Sequence, residues 1–289
     1  MAAMKWPTWD QALIAAILSS LVAMAIRRHE VRRGPLTRAH FVRPLATEFA
    51  LIAALYSIWR VARKLPLAQN EGAIERARQI VDVQNALFFP TELSLQEFVL
   101  RWDWLGQLTS WYYAGLHVPA LLIFLVWLFA RHREHFPHWR NGLVVLTAGC
   151  LFLRFVRVAP PRFLVDLGYQ DLSEIYGPSI YGPVGTGVSD QFAAMPSIHV
   201  GWAAVVSFGA VAVSTSKWRW VAGLHVVITA IVVSASGHHW WLDGIVAIGL
   251  LLIGLVLDTG ARRWWASRQA IPLDEVERAG QPVESSMTS

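Results

Sequence analysis

Seven runs of apolar residues divide the chain, and polar or arginine-rich segments separate them. Most runs reach or approach the ~18–20 apolar residues that an α-helix needs to cross a bilayer. We therefore predict an all-α, polytopic transmembrane helical bundle. Its predicted spans are residues 11–26, 45–62, 105–130, 141–158, 196–214, 220–236 and 242–258.

The first run has a second interpretation. The sequence Ala23-Met24-Ala25 resembles a signal-peptide cleavage site. Asp10 and the dense arginines that follow the run favour a retained span instead. Removal of the run would leave the orientation of the other six unchanged.

The distribution of charge predicts the orientation. Arginines crowd the segments 27–43 and 131–140, and basic residues also follow the fifth and seventh runs. The positive-inside rule places these segments, and with them the C-terminus, in the cytoplasm. The acidic connection 163–194 then lies outside.

Spacing and composition suggest four regions. Residues 1–64 form N-terminal transmembrane helices, and 65–104 form an amphipathic interfacial segment with apolar residues at helical spacing. Within that segment Pro90 ends one helix, and Ser94 and Glu97 have the spacing of a capping box for a second. Residues 105–260 form the core, and 261–289 form a polar, disordered cytoplasmic tail.

Composition supports a membrane protein and excludes several other classes. Of 289 residues, 55% are hydrophobic and 16% are charged, against about 25% charged in soluble domains. The net charge of +5 is explained by arginines that set orientation, so we expect no nucleic-acid partner. The single cysteine, Cys150, excludes an internal disulfide and multi-cysteine metal sites.

Two motifs lie at run ends that this orientation places outside, namely Ala193–His199 and Gly237–Asp243. His239 and Asp243 are four positions apart, so both project from one face of a helix that starts near them. A carboxylate bonded to one imidazole nitrogen fixes the tautomer and raises the basicity of the other. His239 is thus a candidate nucleophile or base.

Ser197 and His199 follow Pro196, and proline is favoured at the first position of a helix. Both side chains are then expected in the first turn, where free amides and the helix dipole attract an anion. Arginines at the end of the fourth run can donate forked hydrogen bonds to phosphate oxygens. They are Arg154, Arg157 and Arg162.

These groups together predict a phosphate site. One histidine can attack phosphorus while the other protonates the leaving oxygen. The arginines and the helix start supply the charge stabilisation, so we predict neither a metal nor another cofactor.

Three motifs resemble those of the type-2 phosphatidic acid phosphatase superfamily, which shares its helical core with vanadium haloperoxidases. They are Ala159–Arg162, Ala194–His199 and His238–Asp243. Within the superfamily they most resemble the inositol phosphorylceramide synthase (aureobasidin-sensitive) branch. The resemblance covers roughly residues 100–260 and implies a six-helix core with additional N-terminal or interfacial helices.

The resemblance also implies residue roles. His239 is similar to the histidine that forms the phosphoryl-enzyme, and Asp243 to its orienting carboxylate. His199 resembles the acid that protonates the leaving group, and Ser197 the serine that contacts phosphate.

The sequence departs from the family pattern in its cations. The first family motif is a lysine followed at a distance by Arg-Pro, whereas here Pro160-Pro161-Arg162 has no such lysine. The arginine that usually precedes the histidine of the third motif is also missing. We assign phosphate binding to Arg162 and then Arg154, with His238 as a neighbour that shapes the pocket.

Tyr113 and His117 place polar groups inside the third run. They either line a channel for the lipid substrate or form an interhelical hydrogen bond.

The sequence therefore predicts an enzyme that acts on a membrane lipid phosphate. We expect its active site at the extracytoplasmic face of the plasma membrane. Transfer to water makes it a lipid phosphate phosphatase, and transfer to a polar alcohol makes it a phosphotransferase. The branch resemblance favours transfer.

Two alternatives remain. A non-enzymatic lipid or proton-coupled transporter would hold its histidines and aspartate near the bilayer midplane. Zinc chemistry is possible by residue type at His199, His239 and Asp243.

Overall fold

The computed structural model describes residues 7–34, 39–62, 71–177 and 191–269, and these residues fold into helices without a β-strand. This confirms the predicted all-α class. The α-helices in this part of the chain are α1 Trp9–Arg33, α2 Ala39–Ala62, α3 Ala73–Ala86, α4 Glu92–Val99, α5 Asp103–Gly115, α6 His117–Arg131, α7 Phe136–Leu153, α8 Leu172–Tyr176, α9 Ile198–Val213, α10 Arg219–Ala235 and α11 Trp241–Gln269. Two 3-10 turns, Pro161–Phe163 and Val165–Leu167, precede α8.

Three described helices, α1, α2 and α11, are long and apolar enough to cross a membrane, and the bent pair α5–α6 makes up to four. These helices fit an integral membrane protein. The other predicted spans form α7, α9 and α10, with 18, 16 and 17 residues. At 1.5 Å per residue they are about 24–27 Å long, slightly short of a ~30 Å hydrocarbon core. The count of seven spans stays a prediction.

The third predicted span is not one continuous helix. The chain bends by 50° between α5 and α6. Pro119 explains the break, because proline lacks an amide proton and its ring clashes with the carbonyl four residues earlier, at Gly115. The prediction of a single helix over 105–130 was therefore wrong.

The segment that follows the N-terminal pair forms two helices, α3 and α4, as its helical spacing predicted. Ala73, Ala77 and Ile80 are buried on one face of α3. The predicted capping box was misplaced, because α4 starts at Glu92 and its N-cap is Thr91. The Thr91 hydroxyl accepts a hydrogen bond from the Ser94 amide at 3.3 Å.

The packing of the bundle is organised around α9, which contacts α6, α7, α10 and α11. Apart from His199 and Ser207 its sequence is apolar all round, and Val200, Ala203, Ala204 and Val205 are almost fully buried. A helix without a polar face belongs in the middle of a bundle. The start of α9 is consequently held by the helices around it.

The last helix extends further than expected. We predicted a disordered tail from residue 261, but α11 continues to Gln269. The Arg262 side chain donates to Asp258 at 2.6 Å one turn earlier, which supports this extension. The rest of the predicted tail, 270–289, lies outside the described residues.

Candidate active site

Three loops meet at one end of the bundle. They follow α7, precede α9 and connect α10 to α11, so the three sequence motifs lie in these loops and in the first turns of α9 and α11. Backbone hydrogen bonds join them pairwise: Val158 N to Phe192 O at 2.9 Å, Arg162 N to Gly237 O at 2.9 Å and Ser197 N to Asp243 O at 3.0 Å. The main chain thus brings together motifs that are distant in sequence.

Gly237 is necessary for this junction. Its φ of +79° lies in the left-handed region, and an added Cβ would lie 2.5 Å from the Gln170 carbonyl oxygen. Glycine tolerates both the conformation and the close approach.

The two motif histidines are in direct contact. Nδ1 of His199 lies 3.2 Å from Nε2 of His239. His199 is the second residue of α9, and His239 lies in the loop just before α11. The structure therefore places both imidazoles at one point, at the starts of two helices.

The other nitrogen of His239 faces two acceptors. Nδ1 lies 2.8 Å from the Ala194 carbonyl oxygen and 3.3 Å from Oδ2 of Asp243. A carbonyl oxygen can only accept, so Nδ1 carries the proton and Nε2 presents its lone pair towards His199. Because His239 precedes the helix, the expectation that both residues lie on one helical face was wrong, although the contact itself forms.

Asp243 also organises the loop. It is fully buried, and its Oδ2 accepts a hydrogen bond from the Trp240 amide at 2.8 Å. The same carboxylate therefore fixes the first turn of α11 and the ring of His239.

Burial lowers the pKa of His239 to about 4, and the nearby charge of Arg162 contributes in the same direction. The imidazole is consequently neutral at physiological pH. A neutral imidazole with a fixed Nδ1 proton has the form that a nucleophile requires.

Ser197 has a structural role at the start of α9. It is the N-cap of α9, and its hydroxyl accepts from the Val200 amide at 3.4 Å. Pro196 therefore lies before the cap and not at the first helical position, contrary to our prediction. Ser197 fixes the start of the helix that carries His199, and its contact with phosphate stays a prediction.

Arg162 is buried and paired with an acid. Its Nε lies 3.2 Å from Oδ2 of Asp171, and Oδ1 of the same carboxylate lies 3.6 Å from Nε2 of His238. Burial lowers the pKa of His238, and the positive charge of Arg162 lowers it further. The two predicted phosphate-binding residues thus share one carboxylate.

Sequence reasoning gave Asp171 no role beyond the acidity of its loop. Its side chain also caps α8, accepting from the amides of Ser173 and Glu174. The pattern Asp171-x-x-Glu174 resembles a capping box and indicates the cap, but no local pattern indicates an ion pair with Arg162.

Arg154 lies at the end of α7 and is also buried. Its Nη1 donates to the Ala62 carbonyl at the end of α2, at 2.8 Å. This hydrogen bond joins the end of α7 to the end of α2. Its assignment to phosphate stays a prediction, and Arg162 is the better placed of the two.

Tyr113 and His117 lie beside the histidine pair. The Tyr113 ring stacks on His238 with centroids 4.1 Å apart and lies 4.9 Å from the ring of His199. The His117 ring is also 4.9 Å from His199. Both residues line the side of the site formed by α5 and α6.

Side chains of α3 and α4 form hydrogen bonds to the backbone at the start of α11. The Trp241 amide donates to Oε1 of Glu92 at 2.9 Å, and the Leu242 amide donates to Oε1 of Gln84 at 3.1 Å. The Gln84 amide group in turn donates to Glu92 at 2.8 Å. Two side chains from distant sequence therefore cap the helix that carries Asp243, which the sequence did not predict.

Two geometric observations concern the alternatives of a zinc site and a transporter. Within the described ranges, no three His, Cys, Asp or Glu side chains are grouped to hold a metal ion. The transporter alternative expects the histidines at the bilayer midplane, whereas His199 and His239 lie at the starts of α9 and α11.

The comparison with known families gives one match. The family model of the PAP2 superfamily matches residues 78–257, which is more than half of the chain. The match begins inside α3, so it includes the α3–α4 support as well as all three motif loops. No curated protein and no solved structure matches the chain.

Proposed function

Because the chain belongs to the PAP2 superfamily, we propose that it is a membrane phosphotransferase or phosphatase acting on a lipid phosphate or a phospholipid head group. The observation that carries this proposal is the contact between His199 and His239 at 3.2 Å. Two imidazoles at this separation can act on opposite sides of one phosphorus atom once a substrate parts them.

In the first step, Nε2 of His239 attacks phosphorus and the bond to the leaving oxygen breaks. His199 gives its proton to that oxygen, so a free alcohol departs and a phosphohistidine remains. Asp243 and the Ala194 carbonyl hold the Nδ1 proton, and the carboxylate stabilises the positive charge that develops on the ring.

Arg162 is the proposed principal cation for the phosphate oxygens, with His238, Ser197 and Arg154 completing the phosphate-binding set. Arg162 lies close enough to His239 for its charge to lower the pKa of that histidine. Preorganised charge next to the reacting atom is the main source of rate enhancement in phosphoryl transfer.

In the second step, an acceptor hydroxyl attacks the phosphorus, the bond from phosphorus to Nε2 breaks, and His199 takes the hydroxyl proton. From a lipid phosphate, transfer to water gives inorganic phosphate and transfer to an alcohol gives a new phosphate ester; from a phospholipid, the head group stays on the transferred phosphate. The motif resemblance to inositol phosphorylceramide synthases supports an alcohol acceptor. We place the site at the extracytoplasmic face of the plasma membrane and the C-terminus in the cytoplasm, in line with the positions of the arginines.

A substrate screen tests this function. Purified protein in lipid nanodiscs is given lipid phosphates and phospholipids, with and without candidate alcohols, and both free phosphate and new phosphate esters are measured. We expect turnover of at least one donor by the wild type and none by His239→Ala. Equal turnover by the two proteins would overturn the proposed chemistry.

A further inference from the structure

A second polar cluster lies beside the histidine pair, where α5 breaks into α6. Its central residue is His117, which is only 4% exposed. Neither of its ring nitrogens has a hydrogen-bond partner among the described residues. Its ring nevertheless lies 4.9 Å from His199 and 6.4 Å from His225.

His225, on α10, extends this cluster. Its Nδ1 is 2.8 Å from the Tyr112 hydroxyl, which is also 3.0 Å from the Thr229 hydroxyl. Its Nε2 is buried and lacks a partner within the described part of the chain. We call the cluster formed by His117, His225, Tyr112 and Thr229 the α5–α10 recess.

The recess therefore contains three buried ring nitrogens that have no partner in the residues the structure describes. A buried polar group of this kind is unfavourable unless something hydrogen-bonds to it. An imidazole nitrogen can donate to a hydroxyl oxygen or accept from a hydroxyl proton. Hydroxyl groups are thus the ligand chemistry that satisfies the recess without a buried charge.

Exposed apolar side chains surround the α5–α10 recess, which indicates that a ligand with a hydroxyl group reaches it from the lipid. Tyr112 and His225 are only half buried, and exposed apolar side chains flank them on both helices. These are Leu108 and Trp111 on α5, and Leu224 and Ile228 on α10. Since α5 packs on α10 while α6 packs on α9, the bend between α5 and α6 lies beside this apolar surface.

We propose that the α5–α10 recess binds the hydroxyl group of a lipid alcohol and directs it at His199 as the acceptor of the phosphoryl group. This proposal rests on the proposed function. In the step, the lipid oxygen bonds to phosphorus, the bond from phosphorus to Nε2 of His239 breaks, and His199 takes the hydroxyl proton. His117 and His225 hold the acceptor and exchange no atoms with it.

The test measures how the phosphoryl group divides between acceptors. Full-length protein in nanodiscs receives dioctanoyl phosphatidic acid or dioctanoyl phosphatidylinositol as donor. The lipid acceptor is didecanoylglycerol, and myo-inositol serves as the soluble acceptor. The readout is the ratio of didecanoyl ester to products of water and of inositol, which does not depend on the amount of folded enzyme.

We expect the wild type to form the didecanoyl ester. We expect His117→Phe and His225→Phe each to lower the ratio by about tenfold, the effect of losing one well-placed hydrogen bond to the acceptor. The matched control is His132→Phe at the opposite end of α6, where the ring packs on Trp127. Its ratio should equal that of the wild type.

The outcomes separate this proposal from the function on which it rests. If the wild type turns over neither donor, both fail. If the wild type transfers only to water or to inositol, the lipid-alcohol recess is wrong and the phosphotransfer function stands. The recess is equally wrong, and the function again stands, if the lipid ester forms but both recess variants keep the ratio of the His132→Phe control.

Discussion

Nδ1 of His199 and Nε2 of His239 lie 3.2 Å apart, the separation of a hydrogen bond. Phosphorus needs about 3–3.5 Å to the attacking Nε2 of His239, and its leaving oxygen must also fit between phosphorus and His199, so the rings must part when substrate binds. His239 is 5% exposed and fixed by Ala194 and Asp243, whereas His199 is only half buried. We infer that His199 is the ring that turns.

This division of roles predicts how His199→Ala behaves. Turnover of a lipid phosphate should fall about 10²–10⁴-fold, because its alcohol leaving group needs a proton. A p-nitrophenyl ester leaves without one, so the variant should still form the phosphohistidine and release a burst of nitrophenol. Stopped-flow absorbance measures the burst. Absence of a burst, with the variant folded, would show that His239 cannot attack phosphorus without His199.

The double contact of His239 Nδ1 predicts a moderate effect for Asp243→Asn. In triads where the carboxylate alone fixes the tautomer, this change costs about 10⁴-fold in kcat. Here the Ala194 carbonyl also holds the Nδ1 proton at 2.8 Å, so we expect a loss of about 10²–10³-fold in kcat. Steady-state kinetics of this variant are measured beside those of His239→Ala. A loss as large as that of His239→Ala would mean that the carbonyl does not fix the tautomer.

Because Asp171 is paired with Arg162, we expect that a change at Asp171 misaligns the Arg162 guanidinium. Asp171→Asn keeps an oxygen to cap α8 but removes the charge that orients the guanidinium. We expect kcat/KM to fall about tenfold, since a forked donor must be aligned with the phosphate oxygens.

The control for this prediction is Asp166→Asn, which removes an acid from an exposed pair with Arg78. Exposed pairs contribute little to stability, and this pair is exposed to solvent although Asp166 lies in the same loop as Arg162. Equal kinetics for the two variants would show that Asp171 does not act through Arg162.

Glu92 predicts a pH effect on stability. Burial raises the pKa of this carboxyl above its usual 4.5, more than its bonds to the Trp241 amide and Gln84 lower it. A carboxyl with a raised folded-state pKa loses stability as pH rises from its unfolded value through its folded value. Glu92→Gln should remove this decline, because a neutral amide can still accept from the Trp241 amide.

Thermal unfolding in detergent across that pH window tests this expectation, with Glu97→Gln on the exposed side of α4 as the control. The control should keep the pH dependence of the wild type. If Glu92→Gln keeps the pH dependence of the wild type as well, the Glu92 carboxyl does not cause the loss of stability with rising pH.

The sequence predicted the helical class and the meeting of His199 with His239 because both depend on strong signals. Apolar runs have no other stable form in a bilayer than a helix or a closed barrel. Motifs at run ends meet when those ends lie on one side of the membrane.

The sequence could not predict the remaining details, because they depend on contacts between distant residues. The support of α11 by Gln84 and Glu92 joins positions about 150 residues apart, and the Asp171–Arg162 pair crosses a loop without periodicity. Local errors had local causes: Pro119 broke a run that was apolar throughout, and Thr91 rather than Ser94 capped α4.

The central claim is that His239 carries the phosphoryl group. The most direct measurement traps the enzyme by acid-free quenching during turnover of a radiolabelled lipid phosphate and locates the label by mass spectrometry. The account predicts an acid-labile, base-stable phosphohistidine at residue 239, absent from His239→Ala. Label on another residue, or sustained turnover by His239→Ala, would contradict it.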